Sequence, residues 1–295
     1  MQRIRLSENF RAVFYAPFYA TLELGHFAAE GITVELVNSD TPGKATAGLA
    51  DGSLDVTWGG PMRAMKSRNE PHGVQLVCFC EVVRRDPFYL VGRSDAVPFK
   101  LADLVGLRFA SVSEVPTPWL CLQHDLREIS IDPARLNRIP DRSMAENLAA
   151  LAAGQLDVVQ MFEPFAAQAV RTNAGQIVHA AATRGDTSYT TFLATPDAVK
   201  RNRSAFAAMT RAVARTQSWL ASHGANDLAN AVASYYPDVP RGDLVAAYER
   251  YLAAELWARD TQVSRVGISR LAQSLHSGGF IQRIPTYEDC VVELA

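Results

Sequence analysis

An octapeptide that occurs twice constrains the fold of this chain more than any other feature. Residues 49–56 read Leu-Ala-Asp-Gly-Ser-Leu-Asp-Val and residues 151–158 read Leu-Ala-Ala-Gly-Gln-Leu-Asp-Val, so six of eight positions are identical at an offset of 102 residues (151 minus 49). In both copies an Ala- and Leu-rich helical run stops at a glycine, which tolerates the left-handed conformation at a helix C-terminus. Leu-Asp-Val then opens a short apolar strand. The offset is too long for a solenoid and predicts two similar α/β lobes.

A second similarity runs parallel to the octapeptide. Pro17 is followed by Phe18 and an apolar helical run, and Pro118 is followed by Trp119 and a similar run. The two prolines are 101 residues apart (118 minus 17), which is nearly the offset of the octapeptide. Each lobe is therefore predicted to contain a strand, a loop with proline and an aromatic residue, a helix, a strand, a helix, a glycine, and a strand that ends in a turn with proline. Two such lobes would present their strand-end loops to one another.

The order of predicted elements divides the chain into three parts. Residues 1–91 form lobe one, residues 92–195 form lobe two, and residues 196–295 are helical. A chain that crosses into lobe two near residue 92 and returns near residue 194 would place the C-terminal helices back on lobe one. The predicted fold class is therefore α/β, with two similar lobes, a cleft between them and extra C-terminal helices on lobe one.

Composition narrows the class of protein further. A chain of 295 residues with 48% hydrophobic and 20% charged residues has ordinary globular composition and can bury a large core. The net charge of −2 gives no indication of a nucleic-acid partner. The four cysteines, Cys78, Cys80, Cys121 and Cys290, form no Cys-x-x-Cys pair. We therefore expect buried, inert thiols, no metal site, no cofactor and a monomer.

The sequence leaves the location of the protein open. It contains no run of about 18 apolar residues, so no transmembrane helix is predicted. A strand pattern begins at Ile4, where a signal peptide would have its apolar core. The chain is periplasmic if an export signal was removed from it, and cytoplasmic otherwise.

Four stretches of the chain carry a resemblance to a known family. They are the aromatic loop at residues 14–19, the run at residues 24–32, the strand at residues 52–56 with its Gly-Gly-Pro turn, and residues 106–110. In these stretches and in element order the chain resembles the periplasmic solute-binding proteins of type II topology. More narrowly, it resembles the branch that contains the alkanesulfonate-, taurine- and thiamine-precursor-binding proteins of ABC importers. The resemblance covers nearly the whole chain.

This resemblance implies both a mode of binding and a partner. A small-molecule ligand would lie between the lobes, held by the loops after the first and third strands of lobe one and by their counterparts in lobe two. Hinge closure would bury the ligand, and the membrane subunits of an ABC importer would recognise the closed form.

Enzymes of the same branch are the alternative. The yeast thiamine-pyrimidine synthase uses a histidine in the first loop and a cysteine-rich motif, whereas the most similar position here is Tyr15, and Cys78 and Cys80 lie on a predicted buried strand. Sulfinate desulfinases need a cysteine nucleophile in the first loop, and residues 8–18 contain none. We therefore assign no catalytic residue and predict a binding protein.

Lobe one contributes candidate ligand-binding residues from two strand-end loops. They are Asn9, Arg11, Tyr15, Trp58, Gly59, Gly60 and Pro61. Aromatic faces such as those of Tyr15 and Trp58 stack on flat ligands. Paired glycines before a helix let backbone N–H groups approach a ligand. Alternatively, Asn9 and Arg11 are solvated turn residues and the glycine pair forms only a tight turn.

Lobe two contributes the opposing candidates. They are Ser113, Glu114, Thr117, Phe162 and Glu163, joined by Tyr189 from the return crossing. The two carboxylates follow strands and would accept hydrogen bonds from an amino-heterocycle or an amine. Alternatively, Glu163 caps the helix that Pro164 begins. Aromatic residues outnumber charges in this set, which favours a pyrimidine-like or other nitrogen-heterocyclic ligand over a sulfonate, since a sulfonate would call for several donors and a dominant cation.

Overall fold

The structure is a computed structural model that describes residues 1–8, 10–39, 41–70, 72–93 and 99–294. In chain order its strands are β1 (Gln2–Glu8), β2 (Ile32–Asn38), β3 (Val56–Gly59), β4 (Val77–Val83), β5 (Tyr89–Gly92), β6 (Arg108–Val112), β7 (Asn137–Arg142), β8 (Val158–Met161), β9 (Gln176–Ala180) and β10 (Thr190–Ala194).

The α-helices are interspersed among the strands until β10 and then follow one another without a further strand in the described residues. They are α1 (Ala16–Glu23), α2 (His26–Ala29), α3 (Pro42–Asp51), α4 (Met62–Ser67), α5 (Thr117–Glu128), α6 (Met144–Ala152), α7 (Phe165–Arg171), α8 (Pro196–Arg201), α9 (Arg203–Leu220), α10 (Ala225–Val232), α11 (Arg241–Ala253), α12 (Arg265–Ser277) and α13 (Tyr287–Cys290).

Two five-stranded sheets of matching topology confirm the predicted pair of similar α/β lobes. The first sheet has the order β2-β1-β3-β10-β4 and the second has the order β7-β6-β8-β5-β9. In the first sheet β1 pairs parallel with β2 and β3, and in the second β6 pairs parallel with β7 and β8. The fourth strand of each sheet, β10 or β5, is antiparallel to its neighbours. The carboxyl ends of equivalent strands therefore lie at the same edge of each sheet.

The aspartate of each octapeptide explains why the repeat folds the same way twice. Asp55 accepts from the backbone N–H and the guanidinium of Arg5 on β1, at 2.9 to 3.1 Å. Asp157 accepts from the same groups of Arg108 on β6, at 2.6 to 2.9 Å. Each aspartate therefore joins the start of the third strand to the first strand of its lobe. The glycines that end the preceding helices, at positions 52 and 154, have positive φ angles of 77° and 73°, as the sequence predicts.

Strand pairing also shows where the chain passes between the sheets. β5 pairs with β8 and β9 of the second sheet, although the predicted boundary placed residues 89–91 in lobe one. β10 pairs with β3 and β4 of the first sheet, although residues 190–194 were placed in lobe two. The division into residues 1–91, 92–195 and 196–295 stays a prediction. Strand pairing supports crossings a few residues earlier, after β4 and before β10.

The C-terminal helices reach both lobes. As predicted for lobe one, α9 contacts α1, α2, β2 and β4, α10 contacts α1, and α13 contacts β4. In addition, α11 contacts α7, and α12 contacts both α4 and α5. The C-terminal part therefore packs on lobe one and also supports lobe two, which the sequence did not predict.

The interior contains the residues that the sequence assigned to it. Every residue of β4 is buried, which agrees with its near-continuous apolar sequence. All four cysteines are buried.

Within the described residues, no helix is long and apolar enough to cross a membrane. No group of three or more His, Cys, Asp or Glu side chains in the same residues could hold a metal ion.

Candidate functional site

Two adjoining cavities lie where strands from both sheets end. The inner cavity, of about 150 Å³, is lined by Phe10, Phe14, Tyr15, Gly60, Met62, Arg63, Glu114, Val115, Pro116, Thr117 and Tyr189. The outer cavity, of about 430 Å³, is lined by Phe10, Arg11, Ala12, Val13, Thr41, Glu114, Met144, Phe162, Pro164, Phe165, Tyr236 and Val239. The two share Phe10 and Glu114 and therefore adjoin, and together they are called the cleft between the lobes.

The loop after β1 supplies the aromatic wall of this cleft. β1 ends at Glu8, which is 2% exposed and accepts hydrogen bonds from Tyr19 and Arg11. This buried carboxylate holds the loop against α1, so that Phe14 and Tyr15 are fixed at the cavity. Their ring centroids are 4.4 Å apart, and Phe10 lies 5.5 Å from Tyr15. Tyr15 therefore lines the inner cavity, where the sequence placed it.

Arg11 lines the outer cavity with its charge already compensated. One guanidinium nitrogen lies 2.5 Å from Glu8 Oε1, and the group lies over the rings of Tyr19 and Tyr235 at 5.8 and 5.5 Å. The hydrogen bond to Glu8 raises the pKa of Arg11 above its usual value. Asn9, the remaining candidate of this loop, lies outside the described residues.

The turn after β3 meets the cleft through one residue of the predicted set. Gly60 lines the inner cavity. Trp58 is fully buried and stacks on Phe18 with a centroid distance of 4.6 Å, so its ring lies beneath the aromatic loop and belongs to neither lining. Gly59 ends β3, and Pro61 is buried directly before α4. Of the two glycines predicted to let backbone N–H groups approach a ligand, Gly60 lines the cleft and Gly59 does not.

The loop after β6 closes the cleft from the second lobe. Glu114 is exposed and lines both cavities, and its Oε1 accepts from the backbone N–H of Met144 at 2.8 Å. Thr117 lines the inner cavity, and its hydroxyl lies 2.7 Å from the sulfur of Met62 on the opposite lobe. Ser113 is exposed and belongs to neither lining. The two lobes therefore touch at the inner cavity.

Two neighbouring residues of the turn after β8 have different roles. Phe162 lines the outer cavity and lies edge-on to Phe14, with centroids 5.1 Å apart. Glu163 is fully buried, accepts from the backbone N–H of Ala167 at 2.8 Å and pairs with Arg250 at 2.6 Å. Burial raises the pKa of Glu163, although Arg250 acts in the opposite direction. These contacts match the helix-capping alternative, and Glu163 lines neither cavity.

Tyr189 reaches the inner cavity from the return crossing. It is 8% exposed and lies edge-on to Phe14 at 6.0 Å. Within the described residues its hydroxyl has no hydrogen-bond partner. Burial raises the pKa of this phenol well above its usual value.

Sequence reasoning missed several residues that line the cleft. Arg63 on α4 lines the inner cavity, and burial lowers its pKa to about 10. Its position three residues after Gly60, on the helix that leaves a predicted strand-end turn, was the available signal. Tyr236 and Val239 line the outer cavity from the C-terminal part. No local pattern in the sequence connects these two residues to the cleft, since they lie more than 200 residues from the aromatic loop.

The cysteines take no part in the cleft. None of the four is among the residues that line either cavity. Burial raises the pKa of Cys121 to about 12 and that of Cys290 to about 11, and it also raises the pKa values of Cys78 and Cys80. Since the thiolate is the nucleophilic form, these side chains are unsuited to nucleophilic catalysis.

Comparisons with known proteins agree with this architecture. A model of the NMT1-like family matches residues 10–234. A putative binding protein, YtlA of Bacillus subtilis (strain 168), is 25% identical over 262 residues, which cover 88% of this chain and 78% of that protein.

Solved structures share the fold along the whole chain. The periplasmic aliphatic sulphonate binding protein SsuA from Escherichia coli matches with a TM-score of 0.77 and 14% identity, covering 98% of this chain and 96% of that chain. SsuA from Xanthomonas axonopodis pv. citri, an alkanesulfonate-binding protein bound to MOPS, matches with a TM-score of 0.73 and 15% identity over 99% and 98%. The desulfurization enzyme DSZB matches with a TM-score of 0.67 and 15% identity over 100% and 97%. At these identities the likeness shows the periplasmic binding protein fold, and that fold serves both binding proteins and an enzyme.

Proposed function

The chain belongs to the NMT1-like family, and from that premise we propose that it is a solute-binding protein that captures a small, at least partly aromatic ligand between its lobes for an ABC-type importer. The names of the similar proteins, a putative binding protein and two sulfonate-binding proteins, support a binding role. The periplasmic name of one of them supports a periplasmic location.

One observation carries the proposal: the inner cavity is lined from both lobes. Phe14, Tyr15 and Gly60 come from the first lobe, and Glu114 and Thr117 come from the second. A ligand in this cavity touches strand-end loops of both sheets at once. Such a ligand stabilises the closed arrangement of the lobes, which is how hinge-closing binding proteins respond to their solutes. The membrane subunits of the importer would then recognise the closed form.

The lining favours a flat ligand that carries hydrogen-bond donors. Three aromatic rings of the first loop, Phe10, Phe14 and Tyr15, lie within 6.4 Å of one another and offer apolar and stacking surface. The exposed Glu114 supplies a carboxylate at the junction of the two cavities. A carboxylate accepts hydrogen bonds and donates none when it is ionised. A nitrogen heterocycle with N–H or amino groups, of the kind of a pyrimidine precursor, meets both features.

An enzyme on this scaffold is the less favoured function. The fold is shared with DSZB, and a mutant form of that enzyme has been solved in complex with biphenyl-2-sulfinic acid. In this chain the thiols are buried away from the cleft, and burial opposes their ionisation. The described part of the cleft therefore offers no thiolate for such chemistry.

A thermal-shift screen of the purified chain tests the proposal. Pyrimidines and aminopyrimidines form one panel, and alkanesulfonates with taurine form the other. A ligand that binds the folded state raises the melting temperature, and we expect the first panel to do so. Stabilisation by sulfonates alone would reverse the ligand class, and turnover of a sulfinate would replace binding with catalysis.

A substitution locates the site of any compound that binds. Tyr15→Leu keeps an apolar side chain and removes the aromatic ring, so the affinity measured by calorimetry should fall. Tyr287→Leu is the matched control because Tyr287 packs against Arg265 outside both cavities. Equal affinities of both variants and the wild type would place the ligand outside the inner cavity.

A further inference from the structure

The two cavities of the cleft differ in size, and the difference limits what each can hold. The inner cavity measures about 150 Å³, the volume at which an apolar cavity in a protein takes a single benzene ring. The outer cavity measures about 430 Å³, which lies within the range of about 300–1,000 Å³ typical of whole small-molecule sites. A ligand confined to the inner cavity is therefore no larger than one ring, and the larger of the two spaces lies outside it.

The outer cavity has walls from three parts of the chain. The aromatic loop contributes Phe10 and Ala12, and the second lobe contributes Phe162. The C-terminal part contributes Tyr236 and Val239. The Tyr236 hydroxyl donates to the carbonyl oxygen of Ala12 at 2.8 Å. This bond holds the C-terminal wall against the aromatic loop, so the outer cavity is more than a gap between two lobes.

The lining of the outer cavity is mainly apolar. Among the described residues that form it, the exceptions are Arg11, Thr41 and Glu114. The guanidinium of Arg11 is paired with the buried carboxylate of Glu8 at 2.5 Å, and the Thr41 hydroxyl accepts from the backbone N–H of Lys44 at the start of α3. Glu114 lies where the two cavities adjoin. The rest of the lining favours an apolar ligand group, because burial there removes apolar surface from water.

From these volumes and contacts, and resting on the proposed binding function, we infer that the ligand has two parts, a single ring in the inner cavity and an apolar chain in the outer cavity. The ring lies against Phe14 and Tyr15. The amine that joins ring and chain lies between Phe10 and Glu114 and donates its hydrogen to the carboxylate. The chemical class is an aromatic amine or amino-heterocycle with an alkyl group on its amino nitrogen.

Two series of probes measure what the outer cavity contributes. The ring is 4-aminopyrimidine in one series and aniline in the other, and the amino nitrogen carries a methyl, ethyl, propyl or butyl group. Each buried methylene should tighten binding about twofold to fourfold. In calorimetry, the wild-type chain should therefore bind the butyl compound of at least one series about tenfold to fiftyfold more tightly than the methyl compound.

A polar chain of equal size tests whether the outer cavity selects apolar groups. A 3-hydroxypropyl group has as many non-hydrogen atoms as a butyl group. Its hydroxyl would leave water for a mainly apolar lining, which costs free energy unless a new hydrogen bond forms. We therefore expect the 3-hydroxypropyl compound to bind several-fold more weakly than the butyl compound with the same ring.

Variants assign the butyl-to-methyl affinity ratio to the outer cavity. Val239→Glu places a charge in its C-terminal wall and should bring the ratio close to one. Val170→Glu is the matched control and should keep the ratio, since Val170 on α7 is 45% exposed and lines neither cavity. Phe165→Ala removes part of the lining and should lower the ratio, whereas Phe280→Ala removes a ring that contacts Lys66 outside both cavities and should keep it. Melting curves of the ligand-free variants establish that each is folded.

Four results would overturn the inference. A ratio near one in the wild type would show that the chain is not buried, and a ratio that both Val239→Glu and Phe165→Ala preserve would place the chain elsewhere. Equal binding of the 3-hydroxypropyl and butyl compounds would contradict an apolar chain. Failure of both series, while another compound of the thermal-shift screen binds, would leave the proposed function standing and remove this ligand class. Failure of every compound of the series and the screen would remove the proposed function as well.

Discussion

The two copies of the octapeptide form the same structure up to the end of the third strand and different structures after it. Asp55 and Asp157 make equivalent bonds to the arginine of the first strand in their lobe. Beyond that strand, Gly60 lines the inner cavity, whereas Glu163 is buried in an ion pair with Arg250. The turn of the second lobe thus serves both the cleft, through Phe162, and the C-terminal helices, through Glu163.

This difference shows which part of a duplicated fold is constrained by its sequence pattern. The strand and its aspartate satisfy backbone and charge requirements inside each lobe, and these requirements are the same in both lobes. The turn contacts whatever lies outside the lobe, and the surroundings differ because α11 packs beside α7 in the second lobe. The repeat therefore predicts the fold of each lobe. It does not predict the position of the ligand-binding site, which depends on the contacts of each turn.

Trp58→Ala should give the largest effect on this comparison, and the effect should be on stability. The ring is fully buried and stacks on Phe18 beneath the cleft. Removing such a side chain from a core costs about 3–5 kcal/mol. Urea unfolding of the ligand-free protein measures the loss. Trp219→Ala, which removes a half-buried ring that stacks on His223, should cost clearly less.

A contrary result would assign Trp58 to the ligand-binding site. If Trp58→Ala left the free energy of unfolding nearly unchanged and weakened ligand binding, the ring would be a ligand anchor rather than a support for the aromatic loop.

Glu163→Gln should give the next largest effect and test the second turn. Glu163 is fully buried, and Arg250 is 29% exposed in its side chain. Breaking a buried pair leaves one charge without compensation, and for this partly exposed pair we expect a loss of about 2–4 kcal/mol. A double-mutant cycle with Arg250→Met should show coupling, because the doubly substituted protein lacks both charges.

Affinity separates a structural role of Glu163 from a ligand role. We expect any ligand of the inner cavity to bind Glu163→Gln as it binds the wild type, once both proteins are folded. Weaker binding with unchanged stability would contradict the ion pair as the main role of this side chain.

The sequence predicted the parts of this molecule that depend on local pattern. The repeat, its left-handed glycines and the aromatic loop all follow from residue types and spacing, so the two sheets and the position of Tyr15 could be predicted. Trp58 could not be placed, because all four residues of β3 are buried and strand alternation then does not say which face meets the ligand. The partner of Glu163 lies 87 residues further along the chain, in a helix whose docking no local pattern specifies.

Asp55→Asn and Asp157→Asn should lower stability by similar amounts and so test the shared part of the comparison. Each substitution removes a charge that accepts from an arginine and a backbone N–H, and we expect about 1–2 kcal/mol at neutral pH. Chemical unfolding at pH 7 measures both losses. A loss confined to one lobe would show that the equivalent contacts are unequal in energy.

The pH dependence of Asp157→Asn follows from its depressed pKa. The hydrogen bond from Arg108 lowers the pKa of Asp157 to about 2 from its usual 3.8. A carboxylate with a depressed pKa stabilises the fold above its unfolded pKa, and this contribution is lost as pH falls through the folded pKa. The difference in stability between wild type and variant should therefore be constant from pH 7 to about 5 and shrink toward pH 2. A difference that did not shrink would show that the side chain acts through shape rather than charge.

The smallest effect is expected for Gln160→Leu, at the position of the second lobe that corresponds to Trp58 (58 plus 102). Gln160 is 3% exposed and donates to the carbonyl oxygen of Pro118 at 3.0 Å. Within the described residues its own side-chain oxygen has no hydrogen-bond partner. Leucine removes that buried acceptor, which is favourable, and also removes the donor to Pro118, which is unfavourable. Since each effect is about 1–3 kcal/mol and their signs are opposite, the net change should lie within about 1 kcal/mol.

Comparing Gln160→Leu with Trp58→Ala tests whether the third strands of the two lobes are equivalent. Both side chains occupy the middle of a third strand that pairs with the first strand of its lobe, and neither lines a cavity. If the lobes differ only in what their turns contact, Gln160→Leu should not alter ligand affinity in the folded protein, whereas Trp58→Ala, which removes a ring 5.8 Å from that of Tyr15, should weaken binding as well as stability. Calorimetry on both variants with one common ligand decides this. A change of affinity in Gln160→Leu alone would mean that the core of the second lobe influences the cleft. The two lobes would then differ in their third strands as well as in the turns that follow them.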